Sequence, residues 1–228
     1  MMSGNMYDWI TGTWNPFGGE CPHRCSYCYV KSFRWPILKE KYSGPPRLID
    51  HELKKNLGSM KFWFVGSCFD MWANEIPMDW LLETLKCCFK YQKNKYLFQS
   101  KNPKKMFFYL NLHSMARVIS TVGTTIETNR VYREMGNAPE TFLRVFEMNR
   151  LSMAGFETMV TIEPLMDFDI FTMLDFVEKC RPKWVNIGAD SGGHNLPEPP
   201  KEKILELIEE LKKFTEVKLK KNLNRLIR

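Results

Sequence analysis

Along the chain, short stretches rich in Val, Ile, Phe, Trp and Thr alternate with longer ones whose apolar residues recur every three or four positions. The short stretches predict strands over 9–14, 62–66, 96–99, 118–126, 158–162 and 184–188, each bounded by Gly, Pro, Asn or Asp. The longer stretches predict helices. Within 80–91, Leu81, Leu82, Leu85 and Phe89 form one stripe. Pro139 suits the first turn of a helix running to Met153, and Gly155 suits the position just past its end. Residues 170–179 repeat the period. Pro200 opens a last helix in which Ile204, Leu207, Ile208 and Leu211 face one way, with Lys and Glu on the other side. Segments 47–57 and 103–115 carry a fainter helical period. Six strands alternating with six helices predict right-handed βαβ units on a parallel sheet. No internal repeat breaks the 228 residues, so residues 1–228 read as a single α/β domain.

The segment after each predicted strand is polar or reactive. In order these are a three-cysteine loop, Ser67-Cys68-Phe69-Asp70, Ser100-Lys101-Asn102, Glu127-Thr128-Asn129, Glu163, and Asp190-Ser191-Gly192-Gly193-His194. Parallel α/β folds assemble their sites at the carboxyl ends of the strands. The pattern therefore places a site at that end of the sheet.

Composition narrows the class. The apolar stretches, such as 62–65, are far too short to span a membrane, and no basic-then-apolar leader opens the sequence. A cytoplasmic protein is expected. Seven cysteines in such a compartment argue against a disulfide framework, and three of them fall between residues 21 and 28. The basic surplus is local. Lys212, Lys213, Lys218, Lys220, Lys221, Arg225 and Arg228 stand against Glu216 alone and account for nearly all of the net charge of +7. This basic segment, 212–228, suits either a phosphate-bearing partner or simple solvation of a helix face.

The cysteine loop reads Cys21-Pro22-His23-Arg24-Cys25-Ser26-Tyr27-Cys28-Tyr29, a C-x3-C-x2-C spacing within a cluster loop spanning 15–30. Three thiolates this close suit an iron–sulfur cluster. Structural zinc takes four ligands, commonly from two separated C-x-x-C pairs, and no second pair is present. His23 as a fourth zinc ligand would crowd a single short loop.

With Tyr27 as the aromatic before the last cysteine, the spacing resembles the motif of the radical S-adenosylmethionine (SAM) superfamily. Trp14-Asn15-Pro16, Gly66-Ser67-Cys68-Phe69-Asp70, Gln99-Ser100-Lys101-Asn102-Pro103, Thr161-Ile162-Glu163-Pro164-Leu165 and Gly188-Ala189-Asp190-Ser191-Gly192 resemble its phage-protein-like branch, related to spore photoproduct lyase. The chain departs from that branch at Cys68-Phe69 and Ala189-Asp190, where Met-Ser and Gly-Glu are usual.

The resemblance implies a partial (β/α)6 TIM-type barrel with a 4Fe–4S cluster on Cys21, Cys25 and Cys28. The open iron would chelate SAM, and an electron from an external flavodoxin- or ferredoxin-type donor would release a 5′-deoxyadenosyl radical. It implies SAM contacts from Tyr27, Ser67, Asp70, Lys101, Glu127 and Glu163. Asp70 would take the SAM ammonium, Lys101 its carboxylate and Glu127 the ribose hydroxyls. Each has a structural alternative: a helix cap for Asp70, a surface lysine for Lys101, and ion pairs for Glu127 and Glu163. It also implies that Cys68 and Tyr29 handle hydrogen atoms, against the alternative that Cys68 fills an apolar pocket. His194 reads as a surface residue as readily as a ligand. The favoured substrate is a nucleobase or nucleic acid. The alternatives are radical modification of a peptide, or a metal-bearing nucleic-acid-binding module that is not an enzyme.

Overall fold

The structure is a computed structural model that describes residues 6–228; residues 1–5 lie outside the described residues. The chain begins with β1 (Gly12–Trp14) and β2 (Phe17–Gly18). After the cysteine loop come a 3-10 turn over Tyr29–Ser32, α1 (Pro36–Lys41), β3 (Arg47–Leu48) and α2 (Asp50–Leu53). Strands and helices then alternate, with β4 (Phe62–Val65), α3 (Met78–Lys90) and β5 (Lys95–Gln99). Next are α4 (Pro103–Leu110), α5 (Ser114–Ile119), β6 (Ser120–Thr125), α6 (Thr141–Met153) and β7 (Glu157–Ile162). The chain closes with α7 (Ile170–Lys179), β8 (Trp184–Ile187), α8 (Lys201–Leu211), β9 (Glu216–Leu219) and α9 (Asn224–Ile227).

Seven strands form one sheet in the order β1-β4-β5-β6-β7-β8-β9, every neighbouring pair parallel. Strands β2 and β3 make a separate antiparallel pair. This is the partial barrel architecture that the motif resemblance implied, with one strand more than the pattern predicted. The extra strand, β9, offers only Val217 and Leu219 as apolar residues and lies at an edge, so it reads in sequence as a polar tail. Smaller differences have local causes. Residues 9–11 precede β1, and the apolar start of 118–126 belongs to the end of α5. Segment 47–57 divides into β3 and one turn of helix, whereas 103–115 breaks at Asn111 into α4 and the start of α5.

The sheet has two differently filled faces. Its outer face packs on the helices, through residues such as Val65, Phe98, Val122, Val160 and Ile187 against Leu81, Leu85, Met148, Met173 and Leu207. Its inner face is layered. Toward the amino ends of the strands, Phe64, Leu97, Met159 and Trp184 bury themselves against Tyr7 and Ile10. Toward the carboxyl ends, Thr125, Thr161, Asn186 and Lys218 stand in register on neighbouring strands. The N-terminal segment thus plugs the apolar layer, and the polar layer is left as the wall of a cavity of about 1720 Å³.

Candidate active site

The cysteine loop follows β2 and runs into the 3-10 turn over Tyr29–Ser32 as successive tight turns. Arg24 N donates to Cys21 O at 3.1 Å, Cys28 N to Cys25 O at 3.3 Å and Lys31 N to Cys28 O at 3.0 Å. A second loop buttresses it: Glu134 O accepts from Ser26 N at 2.9 Å, and His23 O accepts from Asn137 N at 2.7 Å. Gly136, at φ 64°, permits this approach, since a Cβ there would lie 2.2 Å from His23 O. All three thiols line the cavity. Burial first, then Asp70, pushes the Cys21 thiol up to about 12; burial likewise raises Cys28, which also feels Cys25. Lys101 Nζ stands 3.3 Å from the Cys25 sulfur.

Asp70, at the end of the turn after β4, ties this loop to the strand ends. Its carboxylate accepts from His23 Nε2 at 2.8 Å, Ser100 Oγ at 2.8 and 2.9 Å, Lys101 N at 2.8 Å and Trp72 N at 3.0 Å. Burial alone would raise its pKa, but His23 and the other donors outweigh burial and hold it below the usual carboxylate range. The His23 contact is absent from the motif reading, although the histidine lies inside the loop itself.

A second carboxylate is engaged even more completely. Glu127, fully buried after β6, pairs with Lys101 Nζ at 2.6 Å and Arg144 of α6 at 2.8 Å, and accepts from the Tyr27 hydroxyl at 2.5 Å. Burial would raise its pKa, but Arg144 and Lys101 bring it down to about 2. Lys101 remains charged for the same reason: burial lowers its pKa and Glu127 more than restores it. Tyr27 and Lys101 line the cavity, whereas Glu127 is fully buried and does not. Arg144 was invisible to the sequence reading because a helix-borne arginine carries no sign of its burial.

On the other flank, Cys68 and Tyr29 are brought together. The Tyr29 hydroxyl donates to Ser67 O at 2.7 Å and lies 3.5 Å from the Cys68 sulfur. Asn15 holds this turn through Ser67 Oγ at 3.1 Å and Cys68 N at 3.0 Å. Burial, then Cys68, pushes the phenols of both Tyr29 and Tyr42 upward. Ser67, Cys68, Tyr29 and Tyr42 all line the cavity. Cys87, Cys88 and Cys180 lie elsewhere, the first two on α3.

The far wall is built by β7 to β9. Glu163, in a cis peptide with Pro164, is paired with Lys220 and accepts from Asn222 Nδ2 at 2.9 Å. Gly188 leaves the room for this, because a Cβ there would meet Glu163 Oε1 at 2.7 Å. The Tyr7 hydroxyl reaches Gln99 at 2.6 Å and Thr161 at 2.7 Å across the floor. His194 instead caps its own loop on Asp190 at 2.6 Å.

Among the described residues no three His, Cys, Asp or Glu side chains converge as ligands of one metal ion. The cysteine thiols line the wall without meeting at a point. Three soft donors on one loop, beside a fixed ammonium and facing open space, fit an iron–sulfur cluster better than a compact zinc site.

Several solved structures share this fold. A spore photoproduct lyase variant with bound AdoMet and dinucleoside spore photoproduct superposes at a TM-score of 0.63, covering 91% of this chain and 75% of that one at 10% identity. The lyase complexed with dinucleoside spore photoproduct gives a TM-score of 0.60 at 10% identity, covering 90% and 74%. At that identity the likeness is one of fold, and it agrees with the radical SAM relation read from the cysteine spacing. No protein-family model matches the chain, and no curated protein matches its sequence.

Proposed function

We propose that this chain is a radical SAM enzyme that removes hydrogen from a nucleobase or nucleic-acid substrate. One observation carries the reading: the three thiols of the C-x3-C-x2-C loop, Lys101 and the Cys68–Tyr29 pair line a single cavity at the carboxyl ends of a parallel sheet. Cys21, Cys25 and Cys28 would hold a 4Fe–4S cluster. When bound, that cluster supplies the electron that splits SAM into methionine and a 5′-deoxyadenosyl radical. An external flavodoxin- or ferredoxin-type protein in the cytoplasm would deliver the electron.

The chain's own groups then have distinct tasks. Lys101, kept charged by Glu127, offers its ammonium to the SAM carboxylate. Asp70 is a positioning residue, since its oxygens are engaged with His23, Ser100 and backbone amides. Ser67 and Asn15 fix the turn that carries Cys68. The Cys68 S–H bond is weak enough to give a hydrogen atom to a carbon-centred substrate radical. Tyr29, whose hydroxyl lies 3.5 Å from that sulfur, would pass hydrogen to it. The apolar plug around Tyr7 and Ile10 closes the floor and keeps water from a radical.

Anaerobic reconstitution tests the proposal. The expected result is about four irons per chain, with 5′-deoxyadenosine formed on adding SAM and dithionite. Metal uptake without any SAM cleavage would overturn it and leave a metal-bearing binding module. Hydrogen abstraction from a peptide but from no nucleotide would overturn the substrate assignment.

A further inference from the structure

Within the cavity, polar side chains differ in whether the protein satisfies them. Asn186, on the inner face of β8, is 3% exposed, and among the described residues its Nδ2 has no hydrogen-bond partner. The Oδ1 of Asn222 is likewise buried and unpartnered. Its orientation is set by the protein, because its Nδ2 faces two oxygens, Glu163 Oε1 at 2.9 Å and Ala189 O at 2.8 Å. Leaving a buried amide donor and a buried amide oxygen without partners carries a desolvation cost, so their persistence on a cavity wall points to a ligand.

The two atoms belong to one surface. Asn222 Oδ1 lies 3.0 Å from the point where a Gly188 Cβ would stand. Gly188 follows Asn186 by two residues, roughly 7 Å along extended chain and on the same face. Lys218 is the register partner of Asn186 on β9. Among the described residues its only ion-pair partner is Glu216, at 3.6 Å. Lys221 makes no ion pair among the described residues. It lines both this cavity and the adjoining one, which continues along Asn224, Arg225 and Arg228.

We propose that the β8–β9 wall is a nucleotide subsite in which Asn186 and Asn222 contact the base edge while Lys218 and Lys221 hold the phosphate. A buried donor and a buried acceptor on one wall complement a planar group that carries both functions, as every nucleobase does. A peptide amide offers the same pair, but it has no use for the two cations beside it or for the basic groove beyond. Sheet order places this wall at the opposite edge from the cysteine loop, with both facing the cavity. The assignment rests on the radical SAM reading and gives its substrate a place.

Equilibrium dialysis of the full chain, reconstituted and with SAM present, tests it with two probes. One is thymidylyl-thymidine; the other is its base-free analogue, two deoxyriboses joined by the same phosphate. The wild type should hold the first about tenfold more tightly than the second. Asn186→Ala and the milder Asn186→Ser should bring that ratio close to one with little change for the base-free probe. Lys218→Ala with Lys221→Ala should weaken both probes alike and flatten their salt dependence. SAM affinity should be unchanged in all three variants. An unchanged base preference in a folded Asn186→Ser protein would overturn the proposal, as would its loss of SAM affinity, which would assign the wall to the cofactor. Displacement of the dinucleotide by an acidic octapeptide at equal concentration would assign the wall to a peptide. The radical SAM reading fails separately, by the absence of 5′-deoxyadenosine when the wild type meets SAM and dithionite.

Discussion

On the cysteine-loop side of the cavity, Asp70 and Glu127 accept from donors on several different elements, and Lys101, Tyr27 and His23 are all engaged in return. On the β8–β9 side, Asn186 and Asn222 keep polar atoms without partners; Lys218 has Glu216 at 3.6 Å and the Trp184 ring at 4.8 Å, and Lys221 has no ion pair among the described residues. The first region is a rigid scaffold whose polar groups act on each other. The second keeps hydrogen-bonding capacity that the protein's own groups do not meet. Asp70 and Glu127, which the motif implied as SAM contacts, both lie in the first region; Asp70 lines the cavity, while Glu127 pairs with Lys101 and Arg144, whose Nη2 is itself without a partner among the described residues.

Breaking the scaffold at its metal end should have the largest effect. Alanine at Cys21, Cys25 or Cys28 should reduce iron loading and 5′-deoxyadenosine formation to background, because under the proposal each would supply one of three ligands. Alanine at Cys87 or Cys180 should leave iron content unchanged, as measured on the same reconstituted samples. Loss of iron in the second group and retention in the first would reverse the assignment.

The buried ion network comes next. Glu127→Gln should destabilise by roughly 3–5 kcal/mol, since Arg144 and Lys101 lose their common counter-ion in the interior. For a chain of this length that corresponds to a fall in Tm on the order of 10 °C. The pH dependence follows from the sign of the shift. Glu127 is held at about 2, below its ordinary 4.5, so the unfolded state takes up its proton first as the pH falls. Its stabilisation is complete above about 4.5 and lost toward about 2. Thermal melts over that window should slope less steeply in Glu127→Gln than in the wild type.

Cys68 sharpens the comparison at the level of chemistry. Cys68→Ala should keep the cluster and SAM cleavage, while product yield per deoxyadenosine drops several-fold and side products appear in the chromatogram. Unchanged coupling would return Cys68 to a packing role. The smallest effect is expected away from both regions. Lys86→Ala removes the exposed pair with Glu83 on α3 and should shift stability by less than about 0.5 kcal/mol in a urea melt.

The basic segment shows why the open wall had to be seen in three dimensions. As a sequence it is a lysine-rich tail that could be cut away. In the structure Lys218 of β9 and Lys220 just after it both line the cavity, and Leu223 is completely buried. Removing the segment would unzip an edge strand, so point substitutions such as Lys218→Ala and Lys221→Ala are the sound test.

What the sequence determined by itself is what local chemistry and periodicity encode. The alternation of β-type and helical runs set the parallel α/β order, because each period buries a face on the same core. The spacing of Cys21, Cys25 and Cys28 put three thiols on one loop, because residues this close in the chain are neighbours in any fold. The tertiary structure alone decided contacts between residues far apart in the chain. Glu127 met Arg144 and Lys101, His23 met Asp70, and Cys68 met Tyr29 only once strands β1, β4, β5 and β6 lay side by side. A side chain's type says whether it can hydrogen-bond, and packing decides whether a partner is there. That is why Glu127 is engaged and Asn186 is not.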